Sequence, residues 1–261
     1  MRACLHAGAP LNVRTEDGET VLHLAAAHAS EAGAVQALLH AGADPALIQL
    51  DGQTALHRAA GESALPALVP MLVLHGADVN ALHDRVEWWW GDGGTTPLHH
   101  AAKRADGAAM VAALLASGAD HSLLRKDKRS ALHIATMVAE DTAVLDLLLA
   151  AGAEIAAEDA EGWRPIHFAA DRCRTPVVRR LIELGADPDA ENATDPPQTA
   201  LRVAANQARD AACFGLIVAN SDDACAKDAG GQSAADYAAE NPALKGVSTF
   251  WAIHERCNRP E

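Results

Sequence analysis

Aromatic side chains are scarce in this chain: Phe, Trp and Tyr together make up 3% of 261 residues, with a single Tyr and three Phe. Any core must therefore be built from the aliphatic and small residues that supply nearly all of the 49% hydrophobic content. Cysteine is sparse too. Cys4, Cys173, Cys213, Cys225 and Cys257 are an odd number without a C-x-x-C pair, so they read neither as a disulfide framework nor as a zinc site. Reduced, mostly structural thiols are expected, and the cytoplasm with them. Positive charge is in deficit: 21 Lys and Arg against 35 Asp and Glu give a net charge of -14. Such a balance opposes binding to a phosphate backbone, so nucleic acid is a disfavoured partner. No long apolar run is present, since the stretch from Leu65 to Leu74 is interrupted by Pro66 and Pro70. A bilayer span needs roughly 20 apolar residues, so no membrane helix is expected. The start of the chain shows no apolar signal segment. Catalytic signatures are also missing: no G-x-S-x-G, H-E-x-x-H or P-loop occurs, and Gly91-Asp92-Gly93-Gly94 lacks the strand and the Lys of a phosphate cradle. No enzymatic activity, cofactor or metal is expected.

What the chain has is repetition. Thr96-Pro97-Leu98-His99-His100-Ala101-Ala102 recurs in close variants, with Thr20, Thr54, Ser130, Arg164, Thr199 and Ser233 aligned with Thr96. The successive intervals are 34, 42, 34, 34, 35 and 34 residues, a regularity that means one supersecondary unit copied along the chain. Thr or Ser is a good helix N-cap, and Pro97 and Pro165 sit where a first helical position tolerates a missing N–H. A second apolar run follows in each copy, such as Val35 to Leu39 or Val144 to Leu149, with apolar residues at i, i+3 and i+4. Most copies close on Gly-Ala-Asp or a relative of it, as at Gly42-Ala43-Asp44 and Gly118-Ala119-Asp120, before a polar turn such as Asp51-Gly52-Gln53. The last closes on a degenerate Ser221-Asp222-Asp223.

This pattern resembles the ankyrin repeat over nearly the whole chain. The fold expected is all-α: an ankyrin-repeat solenoid of stacked helix-turn-helix units with finger loops, forming one array over residues 1–261. Its parts are a half-repeat at 1–16, repeats near 17–50, 51–84, 93–126, 127–160, 161–195 and 196–229, and a C-terminal capping repeat at 230–261. An insertion at 85–92 accounts for the one long interval. Leu56, Leu98, Leu132 and Ile166 are expected in the core. Because Leu5 to Asn12 matches the end of an outer helix, the chain reads either as part of a longer protein or as an array that opens on a half-repeat.

Thirteen histidines invite a metal reading. Five of them, His23, His57, His99, His133 and His167, occupy the fourth position of the signature, one per repeat. The resemblance implies a structural role for these, bridging backbone groups between neighbouring repeats. Arg202 and Asp236 replace them in the last two copies. His99 and His100, adjacent on a helix, point in different directions and are not a ligand pair.

Function is then recognition, and the resemblance implies that fingers and first helices line a concave binding groove. The variable positions of the early copies are acidic, as at Glu16, Asp17, Glu19, Asp51 and Glu62, whereas the middle copies contribute Lys103, Arg104, Lys126, Arg129 and Arg172. Three of the five Trp residues, Trp88, Trp89 and Trp90, are consecutive within the insertion, and Trp163 lies in a later finger. Trp and Arg are the types most enriched at binding hot spots. The candidate site is therefore Trp88, Trp89, Trp90, Trp163, Lys103, Arg104, Lys126, Arg129 and Arg172, docking another protein with an acidic and apolar surface. Two plainer readings stand beside it: the basic residues as a solvated face balanced by Asp106, Asp127 and Asp171, and the Trp side chains folded back over a neighbouring finger. The expected function is a protein-interaction module, monomeric on its own and acting as an inhibitor or scaffold. The alternative is the targeting portion of a larger enzyme or effector.

Overall fold

The computed structural model describes residues 10–83, 93–207, 210–246 and 248–257. Among these residues there are fourteen helices and no strand: α1 (Val21–His28), α2 (Ala32–His40), α3 (Ala55–Glu62), α4 (Leu68–Leu74), α5 (Pro97–Ala102), α6 (Ala108–Ala116), α7 (Ala131–Val138), α8 (Ala143–Ala150), α9 (Pro165–Arg172), α10 (Thr175–Glu183), α11 (Ala200–Gln207), α12 (Ala211–Ala219), α13 (Ala234–Glu240) and α14 (Ser248–Cys257). Each signature opens a helix for the reason its residues suggest. The hydroxyl of Thr54 accepts from the His57 amide at 3.3 Å, and that of Ser233 accepts from the Asp236 amide at 3.3 Å. Pro97 and Pro165 stand at the first helical positions, where no hydrogen bond is lost. Arg164 has no hydroxyl to offer, and there the His167 ring alone accepts from the cap amide, at 3.0 Å.

The chain divides into two compact units, residues 1–134 with 150–153 and residues 135–149 with 154–261, so that the boundary falls within α7. In the first, α1, α3 and α5 pack in sequence as inner helices, α2, α4 and α6 pack behind them, and each inner helix pairs with the outer helix that follows it. The second repeats the plan with α9, α11 and α13 inside and α10, α12 and α14 outside. Alanine makes this packing possible: Ala26, Ala59, Ala60, Ala101, Ala169, Ala170, Ala204 and Ala205 are all buried, and their small side chains allow inner helices to approach closely. Leu56, Leu98, Leu132 and Ile166 are buried to within 1% exposure.

Fingers separate the helix pairs. Each closes on a short backbone bond, as in Gln49 N–H to Gln53 O (2.8 Å), His83 N–H to Thr95 O (2.8 Å) and Arg125 N–H to Arg129 O (3.0 Å). In all fingers but the one before α11, where Pro197 stands, the turn takes a left-handed residue two positions before the cap. Glycine supplies it at Gly18, Gly52, Gly94, Gly162 and Gly231, with φ between 73° and 89°. In the finger before α7 the same place is held by Lys128, at φ 60°.

The expectation of reduced thiols is overturned. Cys173 is bonded to Cys213 and Cys225 to Cys257, with Cα atoms 5.5 and 5.1 Å apart. The pairs are 40 and 32 residues apart, about one repeat. Stacking of successive copies brings such residues together, which is why neither pair shows as a local Cys motif. Both tie neighbouring repeats of the second unit: Cys173 ends α9 and Cys213 lies in α12, while Cys225 precedes α13 and Cys257 ends α14. The inference from free thiols to a cytoplasmic setting loses its premise. Cys4 lies outside the described residues.

Candidate functional site

The signature histidines explain why the fingers stand where they do. In the copies at His23, His57 and His99 the ring Nδ1 accepts the N–H of the capping Thr, at 3.2 to 3.3 Å. A carbonyl can only accept, so Nε2 must carry the proton it gives to the next repeat: His23 to Gln53 O at 3.2 Å, His57 to Thr95 O at 3.1 Å, and His99 to Arg129 O at 3.2 Å. In the second unit His167 donates likewise to Ala190 O at 2.9 Å. Burial favours the neutral ring, driving His57 and His99 down to about 4 and His23 and His167 below the ordinary value. Arg202, replacing His in α11, does the same work with a longer arm. Its guanidinium donates to Pro197 O in its own finger and to Ala226 O in the next one, at 3.2 and 3.4 Å.

Of the sequence-derived site, Trp88, Trp89 and Trp90 lie outside the described residues. The first unit holds Lys103, Arg104, Lys126 and Arg129. Lys103 follows α5 and is exposed. Arg104 grips Asp106 through two bonds of 2.9 and 2.8 Å and donates to Ser63 O at 2.8 Å, fixing one inner helix end to the preceding copy. That hydrogen bonding holds the Asp106 carboxyl below its ordinary value. In the finger before α7, Asp127 lies 3.1 Å from Arg125 and 3.6 Å from Arg129, so part of the basic charge is neutralised on the spot. Lys126 is exposed and donates its amide to Gly93 O at 2.8 Å. Its side chain lies so close over Gly93 that a Cβ there would meet Lys126 Cδ at 2.6 Å.

The second unit holds Trp163 and Arg172. The indole of Trp163 is half-buried against α9, with ring centroids 5.7 Å from His167 and 5.1 Å from Phe168. Arg172 is exposed in the last turn of α9, 3.3 Å from Asp171. It lines a depression of about 330 Å³ with Asp171, Arg174 and Gln207.

Sequence reasoning missed one feature of the first unit. The residue just ahead of three successive finger-closing bonds is aliphatic and exposed: Ile48 (48%), Leu82 (58%) and Leu124 (47%). Leu50, at the tip of the first of these fingers, is 77% exposed. The matching positions of the later fingers are Glu158, Glu191 and Lys227, so the apolar ladder is confined to the copies on either side of the insertion. The three residues are 34 and 42 positions apart, and only alignment by finger register puts them in one column. Among the described residues no group of three or more His, Cys, Asp or Glu side chains could hold a metal ion, and no helix is long and apolar enough to cross a membrane.

Comparison with known proteins is consistent along the chain. A family model described as ankyrin repeats (3 copies) matches in overlapping placements at residues 2–83, 22–123, 67–159 and 98–192. The crystal structure of the human ASB11 ankyrin repeat domain superposes with a TM-score of 0.75 at 27% identity, covering 93% of this chain and 100% of that one. Human protein phosphatase 1 regulatory subunit 27 is 37% identical over 75 residues, which is 26% of this chain. The chain spans about half of that relative's length, 49%.

Proposed function

Since this chain belongs to the ankyrin-repeat family, whose members are generally protein-interaction modules, we propose that it binds a specific protein partner through the fingers and inner helices of its first unit. The observation that carries this reading is the exposed column Ile48, Leu82 and Leu124 in three successive fingers, with Lys126 and Lys128 exposed in the last of them. Exposed apolar patches of this kind mark interaction sites, and an adjoining cationic edge favours a partner whose docking surface is apolar and acidic. Trp88, Trp89 and Trp90 stand in the insertion that begins two residues after His83, and they are read as further anchors of the same site. Lys103, Arg104, Lys126 and Arg129 are its charged rim. Trp163 and Arg172 belong to the surface of the second unit and are read as a separate contact.

The role follows as inhibitor or scaffold, and the chain is read as a monomer on its own. The human relative bears the name of a phosphatase regulatory subunit, which favours a partner that is itself an enzyme. We also read residues 1–261 as one array, because the period runs from Ser130 to Arg164 without a break.

The test is affinity capture with mass spectrometry, followed by binding measurements on three variants. Leu82→Glu with Leu124→Glu, and separately deletion of 85–92, should each weaken binding by well over tenfold, as the loss of a hot spot of about 2 kcal/mol implies. Lys126→Glu should mainly slow association and alter its salt dependence. Unchanged affinity in folded variants of the first two kinds would remove the site from this face.

A further inference from the structure

A second set of histidines gathers where His83 meets Thr95, on either side of the insertion. The rings of His57 and His100 lie 5.4 Å apart edge to face, those of His57 and His83 5.8 Å, and those of His83 and His100 5.5 Å. His57, His83 and Thr95 are buried, and His100 is half-buried by α3, where a Cβ on Gly61 would meet its Nδ1 at 3.2 Å. His83 and Thr95 are the two residues whose backbone bonds close the finger, at 2.8 and 3.2 Å, and Gly94 adds a third bond to His83 O at 3.0 Å. His57 holds Thr95 O from the preceding copy, while His100 Nε2 and His83 Nδ1 face each other at 3.4 Å with one proton between them. No other copy has this arrangement. The positions matching His100 are Leu24, Arg58, Ile134, Phe168, Val203 and Tyr237, and that matching His83 in the finger before it is Gln49.

We propose that His57, His83 and His100 form a proton-sensitive latch that holds the closing residues His83 and Thr95 against α3 and α5 at neutral pH and releases them on mild acidification. The chemistry is local. A second proton on the His83–His100 pair turns a shared hydrogen bond into two donors pointed at each other. A proton on His57 Nδ1 would meet the Thr54 N–H that now donates to it at 3.2 Å. The groups that act most on His100 are His57, His83, His99 and Lys103, and all of them oppose its protonation. On His57 the positive charge of His83 opposes and the carboxylate of Asp51 favours it. From α5 and the finger beyond, His99 is opposed by Arg125 and His133. Burial is the largest cause throughout, and it pushes His100 well below the ordinary value. Because Leu82 adjoins His83, release displaces the middle rung of the apolar ladder. That consequence rests on the proposed binding reading; the latch itself does not.

Hydrogen exchange on the intact chain without any partner tests it. The amides of His83, Gly94 and Thr95, corrected for intrinsic exchange, should lose protection between pH 7.5 and 5.5 by about tenfold for each latch histidine that titrates. The finger closed by Asp228 N–H to Gln232 O, at 3.0 Å, lies between the copies whose signature position is Arg202 and Asp236, and it serves as the internal control that stays level. His100→Leu, a residue the matching position already tolerates at Leu24, should fold and take about tenfold off the fall at His83, Gly94 and Thr95. Should that variant fail to fold, His83→Gln gives the same reading. The latch is overturned if the wild-type amides keep their protection at pH 5.5, or if both folded variants retain the full fall. Either result leaves the binding face untouched, and a failure of the ladder variants to lose their partner leaves the latch untouched.

Discussion

Lys128, like Cys173, is a non-glycine residue held in the left-handed region. It sits at φ 60°, in the place where Gly18, Gly52, Gly94, Gly162 and Gly231 serve five of the six other fingers. The left-handed conformation costs an ordinary L-residue about 1 to 2 kcal/mol, part of which glycine gives back through its freer unfolded chain. Lys128→Gly should therefore stabilise the protein by about 0.5 to 1 kcal/mol in a urea titration. If the lysine is retained for recognition, the same variant weakens partner binding while gaining stability, and a variant that gains both would mark Lys128 as incidental. The core gives the opposite case. Leu98 and Leu132 are almost fully buried, so truncating either to Ala should cost about 2 to 5 kcal/mol by denaturant unfolding, from lost burial and the cavity left behind. A smaller cost than about 1 kcal/mol would mean that the inner helices close over the gap.

At the scale of elements, the repeats of the second unit are joined by more than packing. Cys173–Cys213 ties α9 to α12, and Cys225–Cys257 ties the finger before α13 to the end of α14. The loops they close span 40 and 32 residues, for which loop-closure entropy alone gives each roughly 3 to 4 kcal/mol. Peptide mapping without reductant should recover both pairs. Adding reductant should lower the melting temperature of the second unit and leave exchange protection in α1 to α6 unchanged. Recovery of four alkylated thiols from the unreduced protein would contradict the pairing. The pairs suit this end of the chain, where Arg202 and Asp236 stand in place of the signature histidine.

For the molecule as a whole, acid is the condition to which the architecture is most exposed. His57 and His99 have folded values of about 4, below the ordinary 6.5, and those of His23 and His167 are also lowered. The unfolded chain therefore binds protons that the folded one refuses. The stability these groups contribute is fully present above about pH 6.5, falls as the pH drops through 6 and 5, and is lost by about 4. Thermal melts across that range should show a steady loss well before the carboxylates titrate. Replacing His57 with Gln should flatten the curve at the expense of stability at neutral pH, since the amide keeps only part of the bridge to Thr95. A melting temperature independent of pH between 7 and 5 would contradict the buried neutral rings.

The repeat period, the capping residues, the small inner-helix alanines and the buried leucines were all legible in the sequence. Each depends on neighbours within one copy, and a local rule of capping or 3.6-residue periodicity is enough to read it. The signature histidines were legible through repetition itself, because the same residue recurs at the same place. Juxtapositions between copies were not. Cys173 and Cys213, His83 and His100, and the column of Ile48, Leu82 and Leu124 are separated by 40, 17, 34 and 42 positions. The tertiary structure decided those contacts, along with the commitment of Arg104 to Asp106 and Ser63 and the seating of Trp163 on Phe168. The physical reason is that a stacked repeat supplies only half of each inter-repeat surface, and the other half comes from a copy roughly one period away.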